Sequence, residues 1–414
     1  MAATTTLEHR PAAPGTDPPT GRAPRLHGLT ALRFFAAAAV VLVHVRFQFS
    51  DSHTLTVAAG YGYAGVTFFF LLSGFVLTWS WSSQPAGRFF WRRLARIWPL
   101  QFALMLVAFT VLADRERLPG PFGHTFEALL LQSWSPDRAV YFGGNGVSWS
   151  LSCEMFFYLL FPFGVPLVIR LHGRGLAVLG ALTGAAMLAA PALVAGSVSG
   201  DTYYWLFYVF PPYRFAEFLL GIVLARAVAL GLRLRRPALG GSLSLAGLAL
   251  LVAALTWLNV VDGGGVDRPF VALAAVPLFA VLLLACVSAE LRSPRSWLTW
   301  RPLVLLGEWS FALYLVHKPL FLLTQRWGWW GNSGGLDGAL QFLAFLALST
   351  AVAAGAHYAL EKPAERALRT LRLRPAAVPS AALPAATAVG GIAAVQARMP
   401  TPGQEFSGLV AIRR

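Results

Sequence analysis

The chain is poor in charge. Only 12% of its 414 residues are Asp, Glu, Lys or Arg, against 57% hydrophobic. A soluble protein of this length would need more charge to cover its surface. It is also poor in cysteine: Cys153 and Cys286 are the only two, and both lie inside apolar runs. That excludes a disulfide framework and any cysteine-based metal site, and no metal is expected. Acids are few beside bases, 18 against 33, for a net charge of +15. Such a balance would suit nucleic acid only if the charge were gathered together, and its distribution along the chain argues against that.

What is abundant is apolar sequence. Runs of about 20 residues, enough to cross some 30 Å of hydrocarbon, recur along the whole length, and mean hydropathy is +0.61. Spans are expected at 29–49, 62–81, 98–113, 149–169, 176–196, 205–225, 239–258, 269–288, 303–323 and 338–358. A weaker eleventh stretch, 378–397, is rich in Ala and broken by prolines. The expected fold is therefore an all-α, multi-pass bundle of about ten transmembrane helices in the cell's inner (plasma) membrane. Arginines crowd alternate connections, as in Arg88–Arg96, Arg226–Arg236 and Arg292–Arg301, and thin out in the others. By the positive-inside rule the N-terminus is then cytoplasmic, and lipid head groups, not nucleic acid, account for most of the basic charge. Residues 1–28 read as a disordered cytoplasmic tail and not as a signal peptide. The membrane domain is expected over 29–374, with 375–414 as a tail or a further membrane segment.

Ionisable side chains inside a span are costly and are functional candidates by default. Arg33, His44, Glu154, Arg214, Glu217, Glu308 and His317 qualify. From the expected boundaries, His44, Glu154 and His317 share one depth in the outer half of the bilayer. Arg33 precedes His44 by eleven residues, so both fall on one stripe of a helix, about 16 Å apart. Arg214 and Glu217 are i,i+3 neighbours and read as a structural pair.

Five segments carry more specific information: "LTALRFFAAAAVVLVH" (29–44), "RFFWRRLARIWPL" (88–100), "VSWSLSCEMFFYLLFP" (147–162), "LGEWSFALYLVHKPL" (306–320) and "HYALEKPAERALR" (357–369). With "GYAGVTFFFLLSGFVLTWS" (62–80) and "RFAEFLLGIVLA" (214–225) they run in the order found in the membrane-bound acyltransferase 3 family, which the chain resembles from about residue 26 to 369. That family O-acylates surface polysaccharides and macrolide-type small molecules. The resemblance implies a catalytic histidine at His44 and an Arg-x-x-Arg donor motif at Arg93 and Arg96, with Arg33 above it. It also matches the family's Trp-Ser-Leu-Ser-x-Glu element, Trp149 through Ser150 to Glu154. The late His and the Glu-x-Pro element fall on His317 and Glu361. Many members carry "GVD" in the second span where this chain has "GVT". Thr67 supplies no counter-charge to His44, so Glu154 is the expected partner. The neutral variant is closer to members that acylate macrolides and related small molecules.

The chemistry implied is transfer of an acyl group, acetyl by expectation, from cytoplasmic acyl-CoA to a hydroxyl of a carbohydrate or natural product. Acyl-CoA is a co-substrate here, with no permanently bound cofactor. Arg33, Arg93 and Arg96 would hold its phosphates. His44 would act as general base or as an acyl carrier, with Glu154 orienting it. Ser148, Trp149, Ser150, Tyr158, Thr67, His317 and Glu361 are candidates for substrate or oxyanion contacts. A proton-coupled transporter is the competing reading of buried His and Glu residues. The lack of an evident inverted repeat and the Arg-x-x-Arg pair both weigh against it.

Overall fold

The computed structural model describes residues 24–112, 120–261, 263, 266–293, 296–331 and 333–371. The expected eleventh segment, the C-terminal tail and most of the N-terminal tail lie outside these residues. Among the described residues the regular structure is helical throughout. Eight helical stretches are long and apolar enough to cross a membrane.

The chain opens with α1 (His27–Val45), α2 (His53–Gly60) and α3 (Ala64–Trp79). Glu290 holds the start of α1, its two oxygens accepting from the His27 and Gly28 amides at 2.6 and 2.9 Å. A carboxylate there satisfies two otherwise orphaned donors and complements the positive end of the helix dipole. The expected span to residue 49 ends four residues early, at Val45. The chain turns there, Arg46 folds its guanidinium back onto the Val43 carbonyl, and Ser52 caps α2 by accepting from the Leu55 amide. His44 therefore sits in the last turn of α1 and not a turn and a half inside it.

Next come α4 (Ala86–Leu112), the short α5 (Pro121–Ala128) and α6 (Arg138–Tyr141), and then α7 (Trp149–Val168). α4 begins twelve residues before the expected span at 98, so the Arg88–Arg96 segment is the helix's first turns and not a loop. The remaining helices are α8 (Gly173–Val194), α9 (Gly200–Tyr204), α10 (Pro211–Ala229), α11 (Pro237–Val261) and α12 (Arg268–Arg292). Last are α13 (Arg301–Arg326), α14 (Gly335–Ala356) and α15 (Lys362–Thr370), the final two joined by a π-helical turn over His357–Glu361. α4 and α13, at 27 and 26 residues, are as long as the eight apolar stretches but mix in charge: Arg93 and Arg96 in one, Glu308 and Lys318 in the other.

Between lipid-facing helices, close backbone approach and dispersion replace the hydrophobic effect as the cohesive force. α3 and α10 show this. A Cβ on Gly74 would lie 2.0 Å from the Phe218 carbonyl oxygen, and one on Gly221 would lie 2.0 Å from that of Leu71. Around the crossing, Phe157 of α7 packs edge-on to Phe70 at 5.0 Å and beside Phe218 at 5.1 Å. α8, α11 and α14 bury little of their surface within the protein and present apolar side chains outward.

Candidate active site

Arg33 and His44 line two different rooms. The inner chamber, about 130 Å³, is walled by Arg33, Arg93, Arg96, Glu154, Tyr158 and Ser73. The outer cavity, about 970 Å³, is walled by His44, Arg268, Tyr63, Tyr208 and Trp149, among others. Val66 and Tyr314 line both.

The environment of His44 fixes its tautomer. Its Nδ1 lies 2.8 Å from the Val40 carbonyl, one turn back, and a carbonyl only accepts. Nδ1 therefore carries the hydrogen, which leaves the Nε2 lone pair free. His317 repeats the arrangement: its Nδ1 lies 3.1 Å from the Leu313 carbonyl, so its Nε2 is an acceptor. That Nε2 sits 3.2 Å from His44 Nδ1, with ring centroids 5.0 Å apart. His317 is fully buried behind His44 and does not line the cavity.

Glu154 is not the partner of His44. It accepts a 3.0 Å hydrogen bond from Tyr158, which in turn lies 3.4 Å from Ser73, and it faces the arginines of the inner chamber. The expected common depth assumed that α7 starts at the outer surface. It starts instead beneath a folded segment, 120–148, whose Gln132, Ser133, Asn145 and Ser148 are buried. Depth counted from Trp149 is therefore too shallow. Arg33, Arg93 and Arg96 make no hydrogen bond or ion pair among the described residues, and the buried Nε of Arg93 has no partner. Three half-buried guanidiniums on one chamber wall have the chemistry to hold an anion.

The other candidates separate. Ser150 lines the inner chamber and bonds the Tyr314 hydroxyl at 2.8 Å, and Trp149 walls the outer cavity. Thr67 bonds neither histidine. It donates to Glu217 at 3.1 Å and accepts from Arg214 at 3.2 Å, while Arg214 and Glu217 pair at 3.0 Å. At this position the chain ties a threonine into that structural pair. Glu361 is engaged by His357 at 2.8 Å. Ser148 donates to Glu127 and accepts from Gln132, both at 3.0 Å, and so is consumed in the support of segment 120–148. Glu127 lies outside the spans and its hydrogen-bond partners, Gln101, Ser148 and the Asn145 amide, are all neutral. Burial pushes its carboxyl up to about 7.

Sequence reasoning missed Arg268 and Tyr314. Arg268 opens α12 with its guanidinium over Tyr63, Tyr208 and Tyr204, at 4.7, 4.5 and 5.0 Å from their ring centres. In the sequence it is a single arginine in a connection between spans, with nothing local to set it apart. Tyr314 stands one turn before His317, a spacing that marks a shared face. Among the described residues no group of three or more His, Cys, Asp or Glu could hold a metal.

The profile of an acyltransferase domain matches residues 26–358. The chain belongs to the acyltransferase 3 family. It is 35% identical over 386 residues to the acyltransferase MdmB of Streptomyces mycarofaciens, covering 86% of this chain and 95% of that one. It is 27% identical to the putative peptidoglycan O-acetyltransferase YrhL of Bacillus subtilis and 25% identical to the peptidoglycan O-acetyltransferase OatA of Listeria monocytogenes. Those matches cover 72% and 73% of this chain but only 49% and 50% of the relatives, so the chain spans about half their length. No solved structure matches. This acyltransferase is a helical protein with multiple membrane-length apolar helices, and its acyl-transfer activity follows from the family.

Proposed function

We propose that the protein moves an acyl group from acyl-CoA, bound in the inner chamber, to a hydroxyl of a carbohydrate or small natural product in the outer cavity. The observation that carries this reading is His44. Its Nε2 is free on the wall of the large room, and its Nδ1 is pinned behind. Arg33, on the same helix, reaches the arginine cluster of the small one. Ligand sites for ring-sized molecules run to about 300–1,000 Å³. The outer cavity is of that size. The inner chamber admits only a slender chain such as an acylated pantetheine arm, with the phosphates on Arg33, Arg93 and Arg96.

In this reading His44 Nε2 takes the proton of the acceptor hydroxyl as the oxygen attacks the thioester carbonyl. The tetrahedral adduct collapses, the carbon–sulfur bond breaks, and the thiolate leaves with the proton from Nε2. His317 Nε2 shares the His44 Nδ1–H with the Val40 carbonyl, which holds the ring and favours the imidazolium. The negative end of α1's dipole, in whose last turn His44 lies, favours it too. Glu154, bonded to Tyr158, completes the polar wall of the donor chamber beside the arginines. The basic connections support a cytoplasmic N-terminus and a donor chamber opening to that side, and in this reading α4 and α13 bring the eight apolar stretches to ten spans.

Labelled acetyl-CoA and a panel of hydroxylated acceptors test the reading with purified protein. General-base catalysis commonly contributes about 10²–10⁴-fold, and His44→Ala should lose rate in that range while still binding CoA. Near wild-type turnover by folded His44→Ala protein would refute the base.

A further inference from the structure

The two rooms meet at two side chains, Val66 and Tyr314, and the donor and acceptor assignments just given raise the question of what crosses there. Tyr314 is almost wholly buried, yet it lines both cavities. Its hydroxyl is doubly held, donating to the Val147 carbonyl at 2.9 Å and accepting from Ser150 Oγ at 2.8 Å. Its ring packs edge-on to Phe69 at 6.0 Å and tilts against His317 at 6.1 Å. Val66, the other shared residue, is apolar and short.

We infer that Tyr314 is the partition between the donor chamber and the acceptor cavity, and that it determines what passes to His44. This rests on the two-room reading of function. The hydroxyl clamp is made to α7, the helix that carries Glu154 and Tyr158, through Ser150 in its first turn and Val147 two residues before the helix begins. Two neutral hydrogen bonds and no ion pair hold the hydroxyl, and passage of an acyl chain requires both bonds to break and the ring to move aside. Closed, it keeps water in the polar outer cavity from the thioester and keeps the acceptor out of the arginine chamber. A residue of this kind sets the tolerated acyl bulk and suppresses wasteful hydrolysis.

The direct test needs no turnover. Ser73→Cys reports on the inner chamber and Val43→Cys on the outer cavity, and a small membrane-impermeant thiol reagent is applied to either face of sealed vesicles. The unaltered chain, whose two cysteines are buried, is the blank. With Tyr314 in place each reporter should label from one face only, and from opposite faces. Adding Tyr314→Ala should make both label from both faces. In acyl transfer, the same substitution should raise acceptor-independent CoA release by tenfold or more and admit longer acyl chains. If the alanine variant does not fold, Tyr314→Phe keeps the ring and drops the clamp, and cross-labelling should quicken severalfold. Labelling of either reporter from both faces with Tyr314 intact would overturn the inference. So would sidedness or rate that neither substitution changes. Loss of transfer activity in the wild type would instead refute the functional reading and leave the labelling result standing.

Discussion

Glu127 offers a quantitative test of how the outer segment is held. It lies on α5, outside the spans, with Oε1 accepting from three neutral donors and Oε2 without a partner. A buried carboxyl with neutral neighbours pays desolvation for its charge, which raises it from 4.5 to about 7. The unfolded chain releases the proton near 4.5, whereas the native one keeps it until about 7. Across that interval the native state binds more protons, so stability falls as pH rises. At about 1.36 kcal/mol per pH unit the loss is roughly 3 kcal/mol, complete just above pH 7. Glu127→Gln keeps the shape and removes the titration. The assay is thermal unfolding in detergent, followed by tryptophan fluorescence, at pH 4.5 to 8.5. Relative to the glutamine variant the wild type should weaken steadily up to about pH 7 and then run parallel to it. Curves parallel over the whole range would show that the carboxyl is not desolvated as the structure has it.

Two other perturbations probe the donor chamber and the helix crossing. Arg93→Ala removes one of three unpaired guanidiniums and should raise KM for acyl-CoA tenfold or more with a smaller change in kcat, and steady-state kinetics showing an unchanged KM would remove it from donor binding. Gly221→Ala drives a methyl group into the Leu71 carbonyl, so α3 and α10 must part at a cost of about 1–3 kcal/mol or more; an unaltered melting temperature would mean that the crossing is not tight.

The helices were legible because hydrocarbon thickness imposes a run length that hydropathy reports directly. Their ends were less so. Nothing in the apolar pattern of 29–49 marks the stop at Val45, which depends on a side-chain fold-back by Arg46 and on the Ser52 cap of the next helix. Arg33, Arg93 and Arg96 line one chamber, and they stood out in the sequence because charges in an apolar stretch are conspicuous and two of them share a helical face. Glu154 was placed at a depth it does not have, because polar residues such as Gln132 and Asn145 read as a surface loop and are in fact buried above α7. The His44–His317 contact spans 273 positions, and the tyrosines around Arg268 come from two separate segments. Only packing brings such groups together, and one sequence does not record it.

The helix that joins the two rooms has a consequence for the donor. From Arg33 to His44 the chain reads RFFAAAAVVLVH, without glycine or proline, and its beginning is fastened by Glu290. Such a rod does not stretch, so under the proposed assignment Arg33 and His44 form a fixed ruler of about 16 Å. A donor gripped there by its phosphates would have to present its carbonyl at that reach. Acylated thiols cut short of it would bind nowhere useful, and an acyl-CoA would be measured by the length of its arm before the identity of its acyl group mattered at all.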